Sequence, residues 1–365
     1  MRFYLDYNST SPLASSVKEW LKNDDLPFAN PASIHSSGKR SRKFIDETTT
    51  YIKDLFNAHE FNIFYHSGAS EGINTIIKGY PKAHVFCSVI DHASVIKAQN
   101  PGVTFHTFPV DSNGKFDKEK LIAEINVCEG LVLLNFTWVH NVTGVVWDLK
   151  FAEEIKKETG ATIHVDAVQA PGKIENWKEI NPHLDFYTFS GHKFGALKGV
   201  GLTLYKEKFI PLVHGGGQQG GARSGTENAM GVYSLKLALK ELDQKINLKE
   251  LREAKEILEK SIKEYATIVA EKAPRNNNTI LFLQDLENPE IVQIAFDLAG
   301  LELGTGSACS SGLQVPDRIL KALGFSEEDA LKGFRLSLGP YTSLEQIGLI
   351  WEKIKDVLEK FRQTS

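Results

Sequence analysis

Lys193 and Asp166 each close an apolar run, and their types and order are the strongest chemical signal in this 365-residue chain. Lys193 ends Ser190-Gly191-His192-Lys193, directly after Phe186-Tyr187-Thr188-Phe189. It therefore stands where a strand gives way to a loop, the place where α/β proteins hold ligands. A lysine near other cations or in a dry pocket loses basicity and can form a Schiff base with an aldehyde cofactor. Upstream, the strand pattern Ile163-His164-Val165-Asp166 carries an anion suited to a protonated ring nitrogen. Three positions later, Gln169 offers an amide to an oxygen on such a ring. Alone, Lys193 reads better as a solvated loop lysine and Asp166 as a strand-end cap, and it is their combination that overturns those readings.

Three further segments have the composition of ligand loops. Tyr65-His66-Ser67-Gly68-Ala69-Ser70-Glu71-Gly72 lies between a strand pattern and a helix pattern, so the helix's free amides, with Ser70, make a phosphate cradle. His214 to Asn228 is dense in glycine and contains Arg223, Ser224 and Thr226, which can contact phosphate where backbone approaches closely. Leu303-Gly304-Thr305-Gly306-Ser307-Ala308-Cys309-Ser310-Ser311-Gly312 presents one cysteine among small residues, as a mobile nucleophile would be presented. Cys87 lies in a buried-strand pattern and Cys128 near the end of a helical one, which makes both packing residues. Without a CxxC pair, the three cysteines give no zinc site by spacing and no disulfide framework.

The elements that must position these residues alternate. Phe61 to Tyr65, His84 to Val89 and Leu131 to Leu134 read as buried strands, with helical patterns after Ser70, at Lys118 to Ile125 and at Leu149 to Thr159. That alternation predicts an α/β body with a mainly parallel central sheet covered by helices. From about Leu239 a charge-laced helical run, Glu241 through Glu271, leads to a strand at Thr279 to Leu283 and a smaller α+β domain. The expected division is 15–245 for the large domain, and 1–14 with 246–365 for the small one carrying the cysteine loop. A formal net charge of -4 and 42% hydrophobic residues give no general attraction for nucleic acid or anionic lipid. Asp6 interrupts the apolar N-terminal stretch, and no run reaches membrane-spanning length, so the expectation is a cytoplasmic protein with small-molecule partners.

Taken in order, these segments resemble the cysteine desulfurases of the class V aminotransferase family, pyridoxal-phosphate (PLP) enzymes of fold type I. The resemblance begins at Tyr4-Leu5-Asp6-Tyr7-Asn8-Ser9-Thr10, passes through Ala29-Asn30-Pro31-Ala32-Ser33-Ile34-His35 and ends at Phe334-Arg335-Leu336-Ser337-Leu338-Gly339. It implies that Lys193 is the Schiff-base lysine, Asp166 the pyridinium partner and Gln169 a donor to the phenolate. His92 would stack on the ring and, as a catalytic residue, shuttle protons, with phosphate contacts from Ala69, Ser70, Ser190 and His192. Thr226 would reach in from the neighbouring subunit of a homodimer. Asn141 would lie near cofactor and substrate, Arg335 would grip the carboxylate of L-cysteine, and Cys309 would take the sulfur as a persulfide for an acceptor protein, which could serve iron-sulfur cluster assembly, tRNA thiolation, a DNA sulfur modification or another carrier.

The chain departs from that family in three places. His140-Asn141-Val142-Thr143-Gly144-Val145 stands where Asn-Asn-Glu is common, Ser70 replaces a threonine, and Asp91 precedes His92 in place of glutamate. The same Lys193 and Asp166 would also serve a selenocysteine lyase or another PLP-dependent lyase or aminotransferase. A non-catalytic scaffold for sulfur carriers would have lost Lys193 or Cys309, and both are present.

Overall fold

The computed structural model describes residues 1–23, 26–99, 102–285, 289–305 and 315–362. Its strands are β1 Phe3–Leu5, β2 Asn62–His66, β3 His84–Ser88, β4 Thr104–Phe108, β5 Val132–Thr137, β6 Thr162–Asp166, β7 Phe186–Ser190, β8 Gly201–Tyr205, β9 Thr267–Ile268, β10 Thr279–Leu283, β11 Leu301–Thr305 and β12 Gly333–Ser337.

A seven-stranded sheet runs in the order β2-β8-β7-β6-β5-β3-β4. Only β8 runs opposite to the other six strands. The apolar runs in β3, β5, β6 and β7 follow from burial on both faces, which removes the alternation a half-exposed strand would show. Leu133, Leu134, Ile163, Val165, Phe186 and Tyr187 are all essentially inaccessible to solvent. Helices on the two faces start at side-chain caps. The Asp117 carboxylate accepts from the Lys120 amide ahead of Lys118–Asn126, and Asp148 accepts from Lys150 ahead of Leu149–Thr159. The latter helix stops at Gly160, whose φ of 72° suits a left-handed cap.

A five-stranded sheet, β1-β11-β12-β10-β9, forms a second layer. Its apolar face, including Ile280, Phe282, Phe334 and Leu336, packs on the helices Leu248–Ile262 and Leu344–Arg362. The N-terminal strand joins this sheet by parallel pairing of Phe3 to Leu5 with Leu301 to Leu303.

One expected element is corrected. The charged run Glu241 to Glu271 is not one helix, because Ala229–Lys245 ends at Ile246 and Leu248–Ile262 starts afresh. Ile246 is extended (ψ 134°), and the Asn247 side chain accepts from the Glu250 amide, a new N-cap that the charge pattern conceals. The tail of the run turns into β9, which pairs with β10. Among the described residues no helix is long and apolar enough to cross a membrane.

Candidate active site

The C-terminal ends of the parallel strands open onto a cavity of about 610 Å³, the edge where open α/β sheets hold ligands. Thr137, Asp166 and Ser190 are the last residues of β5, β6 and β7, and all line it. Ala69, Ser70, His92, Asn141, Gln169, His192 and Lys193 line it as well.

Lys193 sits on a single 3-10 turn, Gly191–Lys193, immediately after β7. Its Nζ donates to the backbone carbonyls of Asn8 (2.8 Å) and Ser9 (2.6 Å). Burial, reinforced by the Arg335 cation, lowers its pKa to about 8, against the pull of Asp166 and Asp6. Asp166 is buried, with the Val168 amide donating to Oδ1 at 3.1 Å. Burial raises its carboxyl, while that amide, His92 and Lys193 draw it back down. A carboxylate in this setting gains most from a cationic ring nitrogen brought against it.

His92 is the N-cap of a short turn and accepts from the Ser94 amide through Nδ1 (3.1 Å). Its ring walls the cavity while reaching solvent, and desolvation holds its pKa below the usual histidine range. Gln169 Nε2 donates to the Asn8 carbonyl (2.9 Å), and its Oε1 accepts from buried Lys173. Lys173 also bonds Asn8 Oδ1 (3.0 Å), and burial pushes it well below an ordinary lysine.

The turn between β2 and the helix that follows it is built as a charged bracket. Gly68 precedes the helix Ala69–Lys78, whose first amides face the cavity with Ser70. Glu71 accepts from the Ser67 amide (2.8 Å) and from Arg223 Nε (2.8 Å). Burial alone would raise this carboxyl, but Arg223 and Ser67 outweigh it and hold it at about 2. Arg223, read in the sequence as a phosphate contact, is thus committed to Glu71 and ties the glycine-rich loop to the helix start. Gln219 fastens the same loop, its side chain accepting from the Tyr65 amide (2.6 Å) and donating to the Tyr65 carbonyl (2.9 Å). Thr226 is exposed and does not line the cavity of its own chain.

Arg335 lies buried on β12 beside this cavity. One guanidinium nitrogen donates to Asp6 Oδ1 (2.6 Å) and Ser9 Oγ (2.7 Å), and another to the Asn141 carbonyl (3.2 Å). Its Nε is buried without a partner. Cys309 lies outside the described residues.

Sequence reading missed three features. His140, a departure from the family pattern, is buried and structural: Nε2 bonds the Ile90 carbonyl (2.8 Å), and Nδ1 lies 2.9 Å from the Thr143 hydroxyl. It fixes the turn that carries Asn141, which closes at Gly144 with φ of 74°. A Cβ at Gly144 would lie 2.7 Å from Asn276 Oδ1. Asp91 accepts from Thr137 (2.7 Å) and Asn135 (2.8 Å), and burial lifts its carboxyl to about 7 despite both bonds. From Asn135 a polar chain continues through His164 (2.7 Å), Thr188 (2.8 Å) and Thr203 (2.9 Å) to His66 (3.0 Å), crossing the sheet beneath the cavity. The available signal was a single polar residue inside each of several apolar strands.

A buried anion, an amine of lowered basicity and a helix N-terminus around one cavity are the donor set of a phosphorylated pyridine aldehyde. Fold and site together define a PLP-dependent body of fold type I. The aminotransferase class-V pattern matches residues 3–350. The chain is 31% identical to the cysteine desulfurase IscS of Dictyoglomus turgidum, covering 99% of this chain and 96% of that one. It is also 31% identical to a putative cysteine desulfurase IscS 1 of Bacillus subtilis, over 98% and 99% of the two chains. A NifS-like protein from Rickettsia africae superposes with a TM-score of 0.88 at 28% identity, over 98% and 100%. The chain belongs to the class-V aminotransferases, in their cysteine desulfurase branch.

Proposed function

We propose that this protein converts L-cysteine to L-alanine with PLP held at Lys193, and passes the sulfur through a persulfide on Cys309 to an acceptor protein in the cytoplasm. The observation that carries the PLP chemistry is the pairing of Lys193, its pKa lowered to about 8, with buried Asp166 in one cavity. Any PLP-dependent lyase would share that pairing, and the choice of L-cysteine rests on the cysteine desulfurase relatives.

When bound, PLP supplies an electron-accepting ring next to the substrate's α-carbon. Asp166 would hold the ring's N–H, Gln169 its oxygen substituent, and His92 its face, with Ser70, Ser190, His192 and the amides after Gly68 around the phosphate. The lowered basicity of Lys193 lets its Nζ both leave as a neutral amine and take the α-proton near neutral pH. The carbonyls of Asn8 and Ser9 aim that nitrogen. Arg335, with Nε unpartnered, and Asn141 would receive the substrate carboxylate, Asp6 yielding part of the guanidinium fork. The Cys309 thiolate would attack the substrate sulfur, so that a carbon–sulfur bond breaks as a sulfur–sulfur bond forms. We assign the working unit as a homodimer in which Thr226 serves the partner's phosphate site, with 15–245 forming the cofactor-binding part and 1–14 with 246–365 the part carrying Cys309.

The test is to supply L-cysteine and a thiol reductant to the yellow protein and measure alanine and sulfide together. Equal amounts support the reading, and neither product refutes it. Cys309→Ala should stay yellow yet lose sulfide release, and release at the parent rate would refute Cys309 as the acceptor.

A further inference from the structure

Away from the cavity, at the far edge of the seven-stranded sheet, three metal-binding side chains converge. His84 comes from β3, His106 from the edge strand β4, and Cys128 from the turn after the helix Lys118–Asn126. Their donor atoms all lie within 4.8 Å of one another. His84 Nδ1 and His106 Nε2 are 2.9 Å apart, and the two rings are stacked. The thiol of Cys128 makes only a 3.5 Å contact with the Glu124 carbonyl. All three side chains are half-buried, so the cluster is formed by the fold yet reachable from solvent.

We propose that His84, His106 and Cys128 bind one zinc ion, with the fourth position left to water. Two imidazoles and a thiolate select a borderline-soft ion and disfavour magnesium or calcium. Zinc bonds of about 2.0–2.1 Å to nitrogen and about 2.3 Å to sulfur put tetrahedral donors roughly 3.3–3.6 Å apart. The histidine pair is slightly tighter than that, and the thiol has at most about 1.5 Å to close. Binding exchanges the imidazole–imidazole hydrogen bond for two coordinate bonds and releases the thiol proton to solvent. The ion would join β4 to β3 and to the turn after the helix. Cysteine spacing gives no sign of such a site, because the ligands come from three separate elements.

The test uses the full PLP-loaded chain carrying Cys309→Ala, so that the acceptor thiol offers no competing ligand. Zinc alone is titrated against a chromophoric chelator, and bound metal is counted by elemental analysis. The expected result is one zinc per chain, with affinity falling roughly tenfold or more in both Cys128→Ser and His106→Asn, and unchanged in the exposed control His214→Asn. Retention of the yellow cofactor band shows that each variant is folded. No bound zinc, or parent affinity in either ligand variant, overturns the proposal.

Discussion

The basicity of Lys193 can be measured without turnover. A lysine of pKa about 8 is ~10% neutral at pH 7, against ~0.03% for one at the model-peptide value. The folded site therefore supplies ~300-fold more reactive amine, equivalent to ~3.4 kcal/mol. Burial contributes most and the Arg335 cation next, and both cations meet at Ser9, one on its carbonyl and one on its hydroxyl. Arg335→Gln removes that repulsion and releases the Asp6 carboxylate, two changes of the same sign. Lys193 should then rise by roughly one pK unit, cutting its neutral fraction at pH 7 about tenfold. Arg335→Lys keeps the charge and should hold the midpoint. Competitive acylation of the cofactor-free protein across pH, read by mass spectrometry at Lys193, reports each midpoint. A parent midpoint near that of surface lysines, or no rise in Arg335→Gln, would refute the electrostatic account.

Other perturbations test the frame. Glu71→Gln should cost ~2 kcal/mol near neutrality by unpairing Arg223. The Glu71 pKa is depressed, so its stabilisation is complete above the unfolded carboxyl range and is lost as pH falls through about 2. The Tm gap between parent and variant should accordingly narrow on acidification from pH 6 to 3. Gly144→Ala places a side chain at φ of 74° against Asn276 and should cost ~1–3 kcal/mol in chemical denaturation. Asn8→Ala removes donors to the Asn141 carbonyl (3.0 Å) and Thr279 (2.8 Å) and leaves Lys173 short of an acceptor. It should lower stability by ~2–3 kcal/mol, read in the same way. His164→Leu breaks the polar chain under the cavity and should cost ~1–3 kcal/mol, because Asn135 Oδ1 and the Thr188 hydroxyl each lose a buried partner.

The legible part of the fold was the part governed by one kind of burial. β3 and β5 announce themselves as apolar runs because helices cover both faces, and Lys193 and Asp166 were visible because they cap such runs. The break at Ile246 was hidden because Asn247 stops one helix and starts another inside an unbroken charge pattern. Arg223 was read as a phosphate ligand because nothing local reveals that Glu71, remote in sequence, occupies it. The polar chain from Asp91 to His66 depends on strand order and register. Each member looks like an isolated exception until β5, β6, β7 and β8 lie side by side.

Ser9 reaches the cavity from the first residues of the chain, beside Asn8 and Asp6, yet all three are held by some of the last. β1 pairs with β11, and Arg335 and Ser337 of β12 grip Asp6, Ser9 and Asn8. During synthesis on a ribosome, the leading segment must wait unpaired while roughly three hundred residues follow, since local contacts alone cannot hold so short a strand. Lys193 gains its final setting only after β12 has emerged. A chain ending before β12 would thus contain the lysine, the aspartate and the cradle without Arg335, and without the strand that holds Asp6, Asn8 and Ser9 in place around the lysine.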